Sequence, residues 1–233
     1  MVKTRGLEEA ERKLGNLVEI ISNLLKKKKK IKVFESGYGY GKVMSELKVR
    51  FGDKIEITGM NYKKSHGDKK KVVSFALKER IISKSNINKL NSIKVVFGDA
   101  GKKLPFKSGS IDLVYSQTSA YLYEDKMHFF EEVSRILSKD GIARITPPLF
   151  KENLPEEYKK ILRIYIGNKE IEFKDFIKKF NKIKIIKLYG GKKVIEIKGG
   201  GIDFGLKLES VVNTNNLCKD WFGVVSVYTK KDI

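Results

Sequence analysis

The stretch Glu35-Ser36-Gly37-Tyr38-Gly39-Tyr40-Gly41 sets an acidic side chain and three alternate glycines between an apolar segment, Ile31-Lys32-Val33-Phe34, and a helical pattern from about Lys42 to Phe51. Such a turn is a site for a phosphate or a carboxylate. Glycines let the backbone approach a ligand closely, and the helix start offers unpaired N–H groups with positive partial charge. Spacing then separates the ligand classes. A dinucleotide turn requires G-x-G-x-x-G, and counted from Gly37 and Gly39 the third position here is Lys42. A phosphate loop requires G-x-x-x-x-G-K-[ST]; Gly41-Lys42 match its end, but Ser36 replaces the first glycine and Val43 the magnesium-holding hydroxyl. What remains is an acid followed by G-x-G-x-G.

Metal and thiol chemistry have little material. His66 and His128 are the only histidines and Cys218 the only cysteine, which excludes an intrachain disulfide framework and a multi-cysteine zinc site. No metal centre is expected, Cys218 reads as a structural thiol, and His66 reads as a solvated loop side chain before it reads as a base.

The elements that must position the glycine turn follow from periodicity. Residues 7–25 carry apolar residues at helical spacing and predict one amphipathic helix. Strands are expected at 31–34, 55–60, 93–97, 111–115 and 142–145, with helices at 42–51, 72–82 and 126–137 between them. Pro147-Pro148 stop the fifth strand. Alternation at this pace predicts an α/β fold: a doubly wound, mostly parallel sheet of the seven-stranded type with helices on both faces. Residues 155–180 read as helical with a break near Gly167-Asn168, and 182–229 as β-rich, an elaborated antiparallel edge to the sheet. The chain reads as one domain, 1–233: an N-terminal helix (1–30), a core (31–148) and a helical and β-rich extension (149–233).

Glu35, Gly37, Gly39 and Gly41, followed by Gly98-Asp99-Ala100, Leu104-Pro105-Phe106, Ser110-Ile111-Asp112-Leu113-Val114 and the helix-turn run from Phe129 to Gly141, resemble the ordered motifs of the class I S-adenosylmethionine-dependent methyltransferases. The resemblance covers residues 31–146. It implies that S-adenosyl-L-methionine is the cofactor, with its carboxylate at the helix start and its ammonium near Glu35. It implies that the residue ending the second strand meets the ribose hydroxyls; Asn61 stands there in place of the usual acid. Met60 and Tyr62 would pack on adenine or ribose, and Asp99, with the Ala100 N–H, would bind the adenine amino group. Ser116 completes the expected cofactor set.

The acceptor is less determined. Methyl transfer from a sulfonium is an in-line displacement in which positioning contributes most, so no strong catalytic signature is required. No Asn-Pro-Pro-type motif follows the fourth strand, Cys218 is too far downstream for a cytosine C5 nucleophile, and Gln117 stands where the Lys-Asp-Lys-Glu type of ribose methylation needs Asp. Ser116 to Tyr121 lie beyond a strand's carboxyl end, where ligands of doubly wound sheets bind. Gln117 and Tyr121 are the candidate acceptor-orienting residues.

Charge adds one clue. The chain of 233 residues carries 49 Lys+Arg against 28 Asp+Glu, a net charge of +21, but only 7 of the basic residues are Arg. A Lys bias of this kind reflects composition more than phosphate recognition, which favours the bidentate Arg. The lysines at 26–30 read as a solvated helix end before the first strand. Lys63, Lys64, Lys69, Lys70 and Lys71 follow the second strand and are placed to attract an anionic acceptor such as RNA. RNA or an RNA-associated protein is the expected acceptor, with a small metabolite next. A non-catalytic protein of the same fold that binds nucleic acid is the alternative, and a nucleotide dehydrogenase is third. No signal-peptide core opens the chain and no apolar run reaches membrane-spanning length, so a cytoplasmic location is expected.

Overall fold

The computed structural model describes residues 6–117, 119, 120, 123, 126–146, 164–166, 169–171, 182–189, 193–199, 206–213 and 224–230. Helices α1 (Leu7–Leu14) and α2 (Leu17–Lys27) lead into strand β1 (Ile31–Ser36). There follow α3 (Lys42–Phe51), β2 (Ile55–Asn61), α4 (Lys69–Lys78), β3 (Lys94–Phe97), β4 (Ile111–Ser116), α5 (Lys126–Ile136) and β5 (Leu137–Ile145). Beyond them lie β6 (Ile164–Ile166), β7 (Lys169–Ile171), β8 (Ile183–Lys187), β9 (Lys193–Lys198), β10 (Leu206–Asn213) and β11 (Val224–Lys230).

Seven strands form one sheet in the order β3-β2-β1-β4-β5-β9-β8. The first five are mutually parallel, and β9 runs antiparallel to both β5 and β8, so β9 alone is reversed. The order turns back between β1 and β4, which opens a crevice at their carboxyl ends. Two apolar layers cover the sheet. Ala10, Leu14, Leu17, Ile21, Met44, Leu47 and Val72 pack on one face. On the other, Phe129, Phe130, Val133 and Ile136 of α5 meet Phe34, Val114 and Ile195. β4 is buried along its whole length, as a central parallel strand covered on both faces must be.

Three expectations are corrected. Residues 7–25 are two helices, because Gly15 and Asn16 both take positive φ, with Asn16 left-handed, which these two residue types tolerate best. The bend seats α1 against α3 and α2 against β1. Residues 164–166 and 169–171 are strands rather than helix. They pair antiparallel across Gly167-Asn168, a two-residue hairpin signal flanked by β-branched residues. β10 and β11 do not extend the main sheet; they join β6 and β7 in a second, four-stranded sheet, ordered β10-β11-β6-β7. The antiparallel extension of the main sheet is β9, with β8 outside it as the edge strand.

The lysine run before β1 is also more structural than its sequence suggests. Lys28 pairs with the buried Asp112, whose carboxylate further accepts the Lys32 N–H (2.8 Å) and the Ser138 hydroxyl (2.9 Å), tying β1, β4 and β5 together at their amino ends. Lys30 pairs with Glu56 at 2.8 Å. Among the described residues no helix is long and apolar enough to cross a membrane.

Candidate functional site

The glycine turn sits where the strand order reverses. Gly37, Gly39 and Gly41 all have positive φ, between 57° and 78°, so the sequence alternation is a conformational requirement. The Gly37 N–H donates to the Met60 carbonyl at 2.8 Å and Gly41 N–H to the Tyr38 carbonyl at 2.8 Å, which ties the turn to β2 and closes it on itself. Gly41 then precedes α3 with no side-chain cap, and the helix has no acid in its first turn. Its first N–H groups and its dipole therefore favour an anion arriving from outside.

Glu35, the last residue but one of β1, is buried and accepts a hydrogen bond from the Tyr115 hydroxyl at 2.8 Å. The two residues are ladder partners between β1 and β4. Burial pushes the Glu35 carboxyl up to about 8; the Tyr115 bond opposes this and the nearby Glu46 charge adds to it. A carboxyl held protonated in this way ionises when a cation approaches it. Among the described residues no His/Cys/Asp/Glu group of three or more is arranged to hold a metal ion.

A chain of hydroxyls faces the turn from β4. Ser119 Oγ donates to the Ser36 carbonyl at 2.7 Å and lies 2.7 Å from Ser116 Oγ. Tyr123 OH lies 2.6 Å from Ser36 Oγ and 3.0 Å from Ser119 Oγ. Burial raises the Tyr123 pKa against the opposing effect of these bonds, so the phenol stays neutral near pH 7 and orients partners rather than taking protons. Gln117 is buried beside this group; Tyr121 lies outside the described residues.

On the other side, Asn61 is buried and binds Gly39 in both directions: Gly39 N–H to Oδ1 at 3.0 Å, and Nδ2 to the Gly39 carbonyl at 2.9 Å. Gly98 N–H donates to the Asn61 carbonyl at 3.0 Å, which brings the Asp99 segment alongside. Asp99 Oδ1 takes the Gly101 N–H at 2.8 Å, leaving Oδ2 for another donor, and Ala100 is buried in the cluster that holds Met60. His66 is exposed on the loop after β2.

The run from Phe129 to Gly141 acts on this site at a distance. Glu132 accepts the Leu104 N–H at 2.7 Å, while Arg135 donates to the carbonyls of Leu104 (3.2 Å) and Phe106 (2.9 Å) and binds Glu132 at 2.6 Å. Burial pushes the Glu132 carboxyl up, but the bonds from Arg135 and Leu104 outweigh it and hold it below the usual range. The pair fixes the turn that follows Asp99. Arg135→Ala leaves Glu132 buried without its cation. Because Arg135 is 27% exposed, the expected loss is about 2 kcal/mol, below that of a fully buried pair, read as a lower urea midpoint.

The structure thus gathers Glu35, Gly37, Gly39, Gly41, Met60, Asn61, Asp99, Ala100 and Ser116 around the carboxyl ends of β1 to β4. Four participants had no sequence signal of their own: Tyr38, Tyr115, Ser119 and Tyr123. Tyr115 becomes visible only once β1 and β4 are in register. Ser119 lies within the segment singled out after β4, and Tyr123 two residues beyond it.

Residues 34–145 match the family model of the methyltransferase domain. None of the curated protein sequences matches the chain. Among solved structures, a Methanococcus maripaludis protein classed as an S-adenosyl-L-methionine-dependent methyltransferase shares the fold. Its TM-score is 0.50 at 18% identity, over 84% of this chain and 92% of that one. A SAM-dependent methyltransferase from Aquifex aeolicus aligns with TM-score 0.43 and 16% identity, covering 76% of this chain and 87% of its own. A Galdieria sulphuraria protein classed as a sarcosine dimethylglycine methyltransferase aligns with TM-score 0.41 and 22% identity over 55% of this chain, which spans only 44% of that protein's length. The match runs from Phe34 in β1 to Ile145 in β5, so residues 34–145 of the chain carry a methyltransferase domain, on a sheet that shares the fold of the Methanococcus maripaludis protein.

Proposed function

We propose that this chain binds S-adenosyl-L-methionine across the glycine turn and directs its methyl group to RNA in the cytoplasm. The observation that carries the cofactor assignment is the pairing of an uncapped α3 start with the buried Glu35 beside it: one suits a carboxylate, the other an ammonium, at the two sides of one turn. When bound, the cofactor supplies an electrophilic sulfonium methyl. The protein's part is placement. Glu35 ionises against the ammonium, Asp99 Oδ2 accepts from the adenine amino group, and Met60 and Ala100 form an apolar wall. Gln117 and the Ser116, Ser119 and Tyr123 hydroxyls orient the acceptor.

Addition of S-adenosylmethionine or S-adenosylhomocysteine at a hundredfold excess over Kd is expected to raise the melting temperature by about 5–10 °C, with no shift from NAD. Unchanged melting with both sulfur compounds would overturn the cofactor assignment.

RNA is favoured as acceptor by the surface after β2. Tyr62 is 60% exposed, the Lys63 ammonium stands 5.5 Å from its ring, and Lys64 and Lys70 are exposed nearby. Exposed aromatic faces among cations suit single-stranded RNA, whose bases stack while its phosphates pair. Two lysines of the cluster are already engaged: Lys69 donates to the carbonyls of Leu90 (2.7 Å), Asn91 (3.1 Å) and Ile93, and Lys71 to that of Ser65 (3.0 Å). The informative variant is therefore Lys63→Ala/Lys64→Ala/Lys70→Ala. It is expected to weaken oligoribonucleotide binding and to lower the slope of log affinity against log salt by about 2. A basic groove of about 800 Å³ at the opposite end of the sheet, lined by Lys26, Arg50, Lys54 and Lys89 among others, provides the control. If Arg50→Ala/Lys54→Ala/Lys89→Ala removes the binding instead, the surface after β2 is not the RNA site. A second reading, a non-catalytic nucleic-acid binder, is favoured by the engagement of the Asn61 amide with Gly39; absence of cofactor binding with RNA binding retained would select it.

A further inference from the structure

In a doubly wound fold the polar side chain about 20 residues past the glycine turn, at the end of the second strand, stands beside the sugar of a bound nucleoside. Asn61 holds that place, yet its amide is turned to the protein. It pairs with the Gly39 peptide through two hydrogen bonds, as a neighbouring strand would. Its Nδ2 also lies 3.5 Å from the Gly67 carbonyl, which accepts the Tyr38 hydroxyl as well. The Gly67 backbone sits so close that a Cβ there would lie 2.3 Å from the Gly39 carbonyl oxygen. Gly67 is buried while residues 62–66 are exposed, so Gly67 is the point at which the loop after β2 enters the interior. The residue type fits the arrangement. An amide can both donate to and accept from Gly39; a carboxylate would lose both donated bonds and set its charge against two carbonyl oxygens.

We propose that Asn61 is a positioning residue that shapes the glycine turn and, together with Tyr38, latches Gly67 over it, so that the cofactor's ribose enters only when Gly67 is displaced. This rests on the cofactor assignment above, but the latch is observable without a ligand. The test compares Tyr38→Phe, which removes the hydroxyl bond to Gly67 and keeps the two Asn61–Gly39 bonds, with Asn61→Ala, which removes the amide's bonds to Gly39 and Gly67. Hydrogen exchange of a peptide covering residues 62–70 is expected to accelerate at least tenfold in both variants, and exchange at Gly39 only in Asn61→Ala. In stopped flow, S-adenosylhomocysteine is expected to associate about fivefold faster with Tyr38→Phe than with the wild type, and to bind Asn61→Ala at least tenfold more weakly. A purely structural role for Tyr38 would lower the melting temperature without accelerating association, and that result overturns the proposal. So does unchanged exchange at 62–70 in both variants. If S-adenosylhomocysteine binds no form of the protein while exchange responds as stated, the cofactor assignment fails and the latch stands.

Discussion

Glu35→Gln is expected to stabilise the free protein at alkaline pH and to weaken the cofactor complex. In the unfolded chain this carboxyl ionises near its ordinary value of 4.5, whereas in the fold burial pushes it up to about 8. Between those values the folded state keeps a proton that the unfolded chain has released. The contribution of Glu35 to stability therefore falls as pH rises from about 4.5 to about 8 and is level above. At about 1.4 kcal/mol per unit the full loss is on the order of 5 kcal/mol. Gln keeps an oxygen to accept the Tyr115 hydroxyl and removes the titration. Urea unfolding should show the variant close to wild type at pH 5 and more stable by about 3 kcal/mol at pH 9. Cofactor binding runs the other way. An ammonium beside Glu35 favours its ionised form, so wild-type affinity should climb with pH up to about 8, with a proton released on binding. The Gln variant should bind about tenfold more weakly at pH 8, without that climb. Parallel stability profiles for the two proteins would show that folding does not raise the Glu35 pKa.

Gly37→Ala is expected to abolish cofactor binding through a contact that can be relieved. The φ of Gly37 is +78°, and a Cβ there would lie 2.3 Å from both Cβ and Oγ of Ser119. The left-handed backbone costs an alanine about 1–2 kcal/mol. Displacing Ser119 costs more, since it breaks its bonds to the Ser36 carbonyl, Ser116 and Tyr123. The expected loss of stability is about 3 kcal/mol, with cofactor affinity lowered at least a hundredfold. Because only the clash involves residue 119, Gly37→Ala/Ser119→Gly should regain part of both losses. A double variant that shows purely additive losses in unfolding and calorimetry would place the strain in the backbone alone.

The motifs that carry the fold are local, and that is why they could be read. Strand–turn–helix alternation from 31 to 145 is written in apolar periodicity, and the G-x-G-x-G spacing answers to a backbone conformation that glycine adopts freely. The misreadings have equally local causes. Apolar spacing continues through Gly15-Asn16, so periodicity joined two helices that backbone conformation separates. The segment from 155 to 180 contains a Gly-Asn hairpin signal that helical spacing overrode; the remainder of that reading lies outside the described residues. Counting lysines also could not distinguish Lys64 from Lys69, because engagement by the carbonyls of Leu90, Asn91 and Ile93 depends on where the turn before β3 packs.

By itself the amino-acid sequence determined the glycine turn, the order of the parallel strands' motifs and the acid beside them, since each follows from neighbours a few residues apart. Tertiary structure decided what those residues are worth chemically. The register of β1 on β4 buries Glu35 against Tyr115, and burial is what moves its ionisation into the physiological range. The approach of β2 to the turn directs the Asn61 amide to Gly39 and away from solvent. Desolvation and hydrogen-bond geometry depend on residues 22 to 80 positions apart in the chain, and only the folded sheet brings them within 3 Å.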